Sequence, residues 1–226
     1  GLAGDDTLDS GVDTLADRLT GGLGNDIYIV RSSNDVVVEA FAPANAVTNF
    51  DRVRADVSYT LATGANIEHL RTLTPTGTAA INLTGNELAQ QLTGNAGNNI
   101  LTGAGGRDVM VGGNGADTFK FMSVTDTTKV AGTRDVISDF THNNTLALSD
   151  RIDLSAIDAN GSLAGNIAFT FQSVRGAAFT GTAGQLHYIV SGSNTVIEGD
   201  INGDKLADFQ IELTGLKTLV AADFLL

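Results

Sequence analysis

Regularly spaced aspartates are the residues of this chain best suited to chemistry. The set is Asp6, Asp17, Asp26, Asp35, Asp108, Asp117, Asp126 and Asp135, and most of these residues stand nine positions from the next. Glycines cluster just before several of them, and a glycine-rich turn exposes its backbone carbonyls. Ca²⁺ takes about six to eight oxygen ligands, which carboxylates and carbonyls supply. The spacing therefore predicts several calcium ions bound along a row of turns.

The elements that must position these aspartates follow from the same period. From Thr76 the sequence reads in units of nine residues, such as GNAGNNILT, GAGGRDVMV and GGNGADTFK. One apolar residue recurs in each unit, at Leu83, Leu92, Leu101, Met110 and Phe119. Frequent glycine argues against a helix, since each Gly costs about 1 kcal/mol relative to Ala. A unit of one turn and one short strand cannot bury its apolar side chain alone, so successive units must stack into a solenoid.

The predicted fold class is all-β, a parallel β-roll of nonapeptide repeats capped by antiparallel C-terminal strands. After Lys129 the period stops, and the alternating stretches IAFTF, LHYIV, TVIEGD and FQIEL are typical of antiparallel strands. The predicted domains are residues 1–54 and 76–135, which hold the calcium-binding repeats, 55–75, a bridging β segment, and 136–226, the C-terminal cap.

The pairing of the turns follows from the number of strands in each coil. With two strands per coil, turns on the same side are 18 residues apart, so stacked turns share an ion between them. The expected pairs are Asp108 with Asp126, Asp117 with Asp135, Asp17 with Asp35 and, across a two-residue insertion, Asp6 with Asp26. Asp51 is one further candidate. The alternative is a calcium-free solenoid in which Asp and Asn only close the turns.

The middle of the chain departs from this pattern. No aspartate lies between Asp56 and Asp108, and Gln90 and Asn99 occupy the ligand position there. We expect neutral coils with weak or absent metal binding in this segment. Nearer the C-terminus, DINGDKLAD (200–208) resembles the start of an EF-hand loop, but it lacks the turn glycine and the final Glu, which favours a solvated turn.

Composition excludes several classes of protein. The chain has 226 residues, 26 acidic against 13 basic side chains, a net charge of −13 and no cysteine. Zero cysteines exclude a disulfide scaffold, a thiol nucleophile and a zinc–thiolate site. The negative charge argues against nucleic acid or an anionic membrane surface as partner. No run of about 18 apolar residues is present, so the sequence predicts no membrane span.

The sequence offers no catalytic constellation. The three histidines, His69, His142 and His187, form no His-Glu-x-x-His pair, and no Gly-x-Ser-x-Gly motif is present. We therefore predict a non-catalytic chain. Three scattered tyrosines make no platform for stacking on sugars, but an extracellular carbohydrate-binding or adhesin module, with polysaccharide as partner, remains the alternative function.

Two segments carry a resemblance to a known family. GGLGNDIYI (21–29) and GGNGADTFK (112–120) resemble the nonapeptide of the repeats-in-toxin (RTX) proteins, and residues from about 94 to 226 are similar to the C-terminal domain of serralysin-type metalloproteases. The resemblance implies that the aspartates and nearby turn carbonyls ligate calcium. Those carbonyls belong to Gly22, Gly24, Gly106, Gly113 and Gly115. Similar caps occur on RTX lipases and mannuronan epimerases, so the parent enzyme is not identified.

The resemblance also implies a route out of the cell. The final residues Asp223, Phe224, Leu225 and Leu226 look like the end of an uncleaved type I secretion signal, although a final core strand would also explain them. We expect the C-terminal part of a larger secreted bacterial protein, which folds on Ca²⁺ binding in the extracellular space. The expected partners are calcium ions and the type I secretion machinery.

Overall fold

The computed structural model describes residues 3–39, 49–142, 149–161 and 165–226. In chain order the strands are β1 (Thr7–Asp9), β2 (Arg18–Thr20), β3 (Ile27–Val30), β4 (Val36–Val38), β5 (Arg52–Ala55), β6 (Tyr59–Thr60), β7 (His69–Thr72), β8 (Leu83–Thr84), β9 (Gln91–Thr93) and β10 (Ile100–Thr102). They continue with β11 (Val109–Val111), β12 (Thr118–Lys120), β13 (Asp135–Ile137), β14 (Arg151–Asp153), β15 (Thr170–Phe171), β16 (Gln185–Ser191), β17 (Asn194–Asp200), β18 (Phe209–Leu213) and β19 (Phe224–Leu225). A 3-10 helix, Ala221–Asp223, precedes β19. Within these ranges, no helix combines the length and hydrophobicity needed to cross a bilayer.

Successive strands alternate between two parallel walls. An eleven-stranded sheet has the order β1-β3-β5-β7-β9-β11-β13-β18-β17-β16-β15, and a six-stranded sheet has the order β19-β14-β12-β10-β8-β6, while β2 pairs with β4. Pairing is parallel from β1 through β13 to β18 and throughout the six-stranded sheet. The predicted parallel β-roll is therefore confirmed. The eleven-stranded sheet continues through residues 55–75, whereas the six-stranded sheet has its end strand, β6, in this segment. The predicted domain boundaries remain predictions.

The core consists of two columns of apolar side chains that point between the walls. The register aligns Tyr28, Val53, Leu70, Leu92, Met110, Ile137 and Leu213 in one column and Tyr59, Leu83, Leu101, Phe119, Ile152 and Phe224 in the other. All are buried. The five apolar positions predicted from the nine-residue period fall in these columns, because alternate residues of a strand face the same side.

The C-terminal strands close the roll. β18 extends the long sheet in parallel, and β17 and β16 then add to it in antiparallel hairpins. β15 differs from expectation because it pairs with β16 in parallel. Residues 172–184 separate these two strands, and a connection of about a dozen residues is enough for a parallel crossover. The last strand, β19, pairs with β14, so the chain ends inside the second wall.

Candidate metal centre

The predicted ligand position lies directly before a strand, so the strand register stacks these side chains into columns. The column beside the eleven-stranded sheet, here called the first column, contains Asp6, Asp26, Asp51, Glu68, Gln90, Asp108 and Asp135. The second column, beside the six-stranded sheet, contains Asn99, Asp117 and Asp150. Asp17 and Asp35 stack separately before β2 and β4. Neighbouring strands lie about 4.8 Å apart, so each column brings carboxyl groups close together.

The backbone fixes one oxygen of each stacked carboxyl group. The backbone N–H at a column position donates to the side chain in the next coil. The distances are 2.7 Å from Asp26 to Asp51, 2.8 Å from Asp108 to Asp135 and 2.9 Å from Asp117 to Asp150. This ladder of bonds recurs between most neighbouring coils of the two columns, and it is interrupted at Glu68, whose N–H donates to the carbonyl of Asp51 at 3.2 Å.

The other carboxylate oxygen of five column residues has no hydrogen-bond partner within the described ranges. These residues are Asp26, Asp51, Asp108, Asp117 and Asp135. Each is at most 1% exposed. Asp200 offers an internal comparison, since it is equally buried but accepts the backbone N–H groups of Gly203 (2.7 Å) and Lys205 (3.0 Å) on its two oxygens. A buried acceptor without a partner costs free energy, so the five Oδ2 atoms mark places where a cation fits.

Burial makes the charged form of these carboxyl groups unfavourable. Desolvation, with a smaller contribution from neighbouring aspartates, raises the pKa of Asp108 and Asp117 from 3.8 to about 7. Burial likewise raises the pKa of Asp51 to about 7 and that of Asp135 to about 8. A bound cation reverses this balance, because an adjacent positive charge favours the carboxylate.

The glycines named by the resemblance shape the turns beside these columns. Gly22, Gly24, Gly106, Gly113 and Gly115 all have φ between 96° and 129°. Gly113 shows why no side chain fits, since its Cβ would lie 2.4 Å from the carbonyl oxygen of Asn95 in the preceding coil. The turns therefore pack backbone on backbone, and a Cβ at Gly112 would lie 2.3 Å from Asp117 Oδ2, so the turn backbone passes close to a column carboxylate.

Two of the predicted pairs are wrong. The register aligns Asp108 with Asp135 and Asp117 with Asp150. The cause is the segment 121–134 between β12 and β13, which adds a loop and lengthens the interval beyond 18 residues. Asp126 lies in that loop, where its carboxylate accepts the backbone N–H groups of Met122 and Ser123 at 2.7 and 3.0 Å. Asp126 therefore closes its own turn, and its negative charge also lies close enough to the first column to raise the pKa of Asp108 and Asp135.

The other two predicted pairs stack as expected. The backbone N–H of Asp6 donates to Asp26 at 2.8 Å, and that of Asp17 donates to Asp35 at 3.1 Å. The second oxygen of Asp35 also accepts two turn N–H groups, from Arg31 (3.1 Å) and Ser32 (3.0 Å). Asp35 is thus held by neutral donors, whereas Asp26 presents an unpaired oxygen.

The middle coils satisfy their polar groups without charge. Gln90 accepts the N–H of Asn86 at 3.0 Å, and Asn99 accepts that of Asn95 at 2.8 Å. The Asn99 amide also donates to the carbonyl oxygen of Ile81 at 2.7 Å. An amide side chain supplies both a donor and an acceptor, so these side chains satisfy their polar groups without a carboxylate, and the weak metal binding expected there stays a prediction.

Sequence reasoning missed four acidic residues, of which Glu68 and Asp150 lie in the columns and Glu39 and Asp139 lie beside them. Glu39, Asp139 and Asp150 lie outside the regular period. Asp139 accepts the N–H groups of Gly112 (2.9 Å) and Gly113 (2.8 Å), which open the turn that ends at Asp117. Of these residues, Asp150 left a signal in the sequence. It is an aspartate directly before a strand, β14, and an insertion separates it from the regular repeats.

The chain is similar to a known protein family and to solved structures. A family model described as Peptidase M10 serralysin C terminal matches residues 1–226. Among solved structures, the AlgE6R2 subunit of the Azotobacter vinelandii mannuronan C5-epimerase is 30% identical over 70% of this chain and 86% of that chain, with a TM-score of 0.46. No curated protein sequence matches the chain significantly.

Proposed function

Since the chain belongs to the family of peptidase M10 serralysin C-terminal domains, we propose that it is a non-catalytic calcium-binding β-roll of a secreted bacterial protein, which folds when it meets Ca²⁺ outside the cell. The observation that carries this proposal is the set of five buried, unpaired carboxylate oxygens in the two columns. They are hard oxygen ligands beside carbonyl-rich turns, which is the chemistry that Ca²⁺ prefers.

In this proposal the column aspartates and the turn carbonyls together ligate the ions. The residues proposed to bind are Asp26, Asp51, Asp108, Asp117 and Asp135, with the carbonyl groups of Gly22, Gly24, Gly106, Gly113 and Gly115. When bound, Ca²⁺ neutralises carboxylates that otherwise repel one another across adjacent coils. An ion at 100 times its dissociation constant contributes roughly 2.7 kcal/mol per site. Several such sites equal the whole stability of an ordinary domain.

Far-UV circular dichroism of the full chain tests this proposal. In a calcium-free buffer at pH 8 we expect little β structure, because the columns then hold buried, ionised carboxyl groups that repel one another. Adding Ca²⁺ should produce a cooperative transition to β structure, and adding Mg²⁺ at the same concentration should not, since Mg²⁺ demands tighter octahedral geometry. A β signal that is present from the start and indifferent to calcium would contradict the proposal.

The proposed secretion signal lies inside the folded cap. Asp223 is 1% exposed and its carboxylate contacts His142 Nδ1 at 2.6 Å, while Phe224 packs on Phe171 with ring centroids 4.7 Å apart. Export machinery that reads these last residues must therefore meet an unfolded chain. The proposal thus requires low calcium inside the cell, and a chain that folds without calcium would count against recognition of this terminus.

One observation favours a second candidate function, binding of an acidic polysaccharide. Arg52 and Arg54 on β5 lie beside His69 and Arg71 on β7, on the outward face of the long sheet. Burial and these three guanidinium groups lower the pKa of His69 to about 4. The patch is cationic although the chain as a whole carries a charge of −13.

Binding to a soluble polyuronate at fixed calcium tests this second candidate. Arg54→Ala and Arg71→Ala should each weaken binding several-fold, and added salt should weaken it further because exposed charges are screened. Arg175→Ala, an exposed arginine outside the patch, serves as the control. Equal binding by the patch variants and the control would remove this candidate.

A further inference from the structure

Three buried carboxyl groups meet at the N-terminal end of the roll. Asp26, Glu39 and Asp51 each offer one oxygen, and these oxygens all lie within 4.8 Å of one another. The three residues are 0%, 5% and 0% exposed. Asp26 and Asp51 are first-column residues, whereas Glu39 follows β4 and stands outside the nine-residue period. We call this group the Glu39 cluster.

Glu39 occupies a position that the repeat gives to glycine. The register of β2 and β4 aligns it with Gly21, the first residue of the turn GGLGND. A Cβ at Gly21 would lie 2.1 Å from Asp26 Oδ2 and 2.1 Å from the Tyr28 hydroxyl oxygen. The turn thus excludes a side chain from its own first position, and the following coil supplies a carboxyl group to the same place.

The neutral donors around the cluster orient its carboxyl groups. Asp26 Oδ1 accepts the N–H of Asp6 at 2.8 Å, and Asp51 Oδ1 accepts that of Asp26 at 2.7 Å. Glu39 Oε2 accepts the Tyr28 hydroxyl and, at 3.3 Å, the N–H of Gly22. The Oδ2 atoms of Asp26 and Asp51 are buried and have no hydrogen-bond partner in the described part of the chain. Two of the three residues that meet at this site of concentrated negative charge therefore carry a buried, unpaired oxygen.

We propose that Asp26, Glu39 and Asp51 bind one Ca²⁺ together through their side-chain oxygens. An ion about 2.3–2.6 Å from each ligand bridges oxygens up to about 5 Å apart, and the cluster meets this limit. Oxygen-only ligands select a hard cation over zinc. Three acidic ligands also make this the tightest site of the chain, because ligand charge sets calcium affinity. The site extends the calcium function proposed above to residues outside the repeat.

Terbium luminescence of the full chain tests the site. Tb³⁺ replaces Ca²⁺ at oxygen sites and emits when a nearby tyrosine transfers its excitation, and Tyr28 lies one hydrogen bond from Glu39. We expect tyrosine-excited emission that Ca²⁺ displaces. Glu39→Gln should weaken the tightest binding step about tenfold or more, since Gln keeps an acceptor for Tyr28 but loses the charge. Glu87→Gln is the control, because Glu87 is exposed and accepts the N–H of Gly64.

A second pair of variants decides the question independently of folding effects at position 39. Tyr28→Phe should keep the number of bound ions and lose most of the emission, whereas Tyr59→Phe should keep both. If Glu39→Gln and Glu87→Gln bind Tb³⁺ alike, or if Tyr28→Phe keeps its emission, the site is overturned. If the site is overturned but the unaltered chain still gains β structure on adding Ca²⁺, the proposed function stands. If the unaltered chain shows no calcium-driven transition in circular dichroism, the proposed function itself is contradicted.

Discussion

Asp117→Asn is expected to lower the apparent calcium affinity about tenfold or more, a cost of about 1.4 kcal/mol, while stabilising the folded state of the calcium-free chain. Both effects come from one buried group. Asp117 presents an unpaired Oδ2 to the proposed ion, and burial raises its pKa to about 7. Asn retains an acceptor for the backbone N–H of Asn99, which donates to Asp117 at 2.8 Å. The substitution therefore removes the ligand charge without opening the ladder.

The measurements are far-UV circular dichroism in chelator and urea unfolding in saturating calcium, both on the full chain. Relative to the unaltered chain, Asp117→Asn should show more β structure in chelator and a lower urea midpoint in calcium. Asp13→Asn is the matched control, because Asp13 is exposed and its carboxylate only accepts the N–H of Leu15. Less β structure in chelator together with a lower midpoint in calcium would show that Asp117 acts only in the protein's packing.

Acidification from pH 8 to pH 5 should stabilise the calcium-free chain, which is opposite to the usual acid response. The pKa of Asp135 is raised from 3.8 to about 8, that of Asp108 to about 7 and that of Asp150 to about 6, in each case chiefly by burial. A raised pKa in the folded state means that the folded chain binds more protons than the unfolded chain. The stability is therefore fully present below about pH 4 and is lost as pH rises through about 6–8.

Thermal unfolding across this pH range, with and without calcium, measures the effect. In calcium-free buffer the melting temperature should fall as pH rises. In saturating calcium the order should reverse, because protons and Ca²⁺ compete for the same oxygens and acid releases the ion. A melting temperature that rises with pH in the calcium-free buffer would contradict the assignment of these buried carboxyl groups.

The regular middle of the roll could be predicted from the sequence. Between residues 76 and 120 nothing interrupts the period, so the spacing of Leu83, Leu92 and Leu101 fixed the strands, the inward positions and the neutral character of the coils. In this region every strand pairs with a strand 18 residues away. The spacing along the sequence therefore determines which residues lie side by side in the sheet. The buried columns of the core are the direct result of that spacing.

The irregular ends could not be predicted because register across an insertion is a tertiary property. The loop 121–134 moved the partner of Asp108 from Asp126 to Asp135. The sequence of the loop does not indicate which later strand pairs with β11 in the eleven-stranded sheet. Glu39 escaped for a related reason, since its neighbours Asp26 and Asp51 come together with it only after the coils stack. The spacing of residues along the sequence does not predict contacts of this kind between different coils.

The hydrogen bonds from backbone N–H groups to column side chains all run in one direction along the roll. In each bond described above, the N–H of one coil donates toward the C-terminus, and the last donors end on Thr127 Oγ1 for Asp135 and on the Thr141 carbonyl for Asp150, both at 2.9 Å. Backbone donors of the strands run the other way, since the N–H of Ile27 bonds the carbonyl of Asp6 and that of Arg52 bonds the carbonyl of Asp26. Removing a coil from the N-terminal end therefore costs only main-chain acceptors, whereas removing one from the C-terminal end also takes side-chain acceptors from the ladder. The side-chain ladder thus depends on the C-terminal part of the roll for its final acceptors.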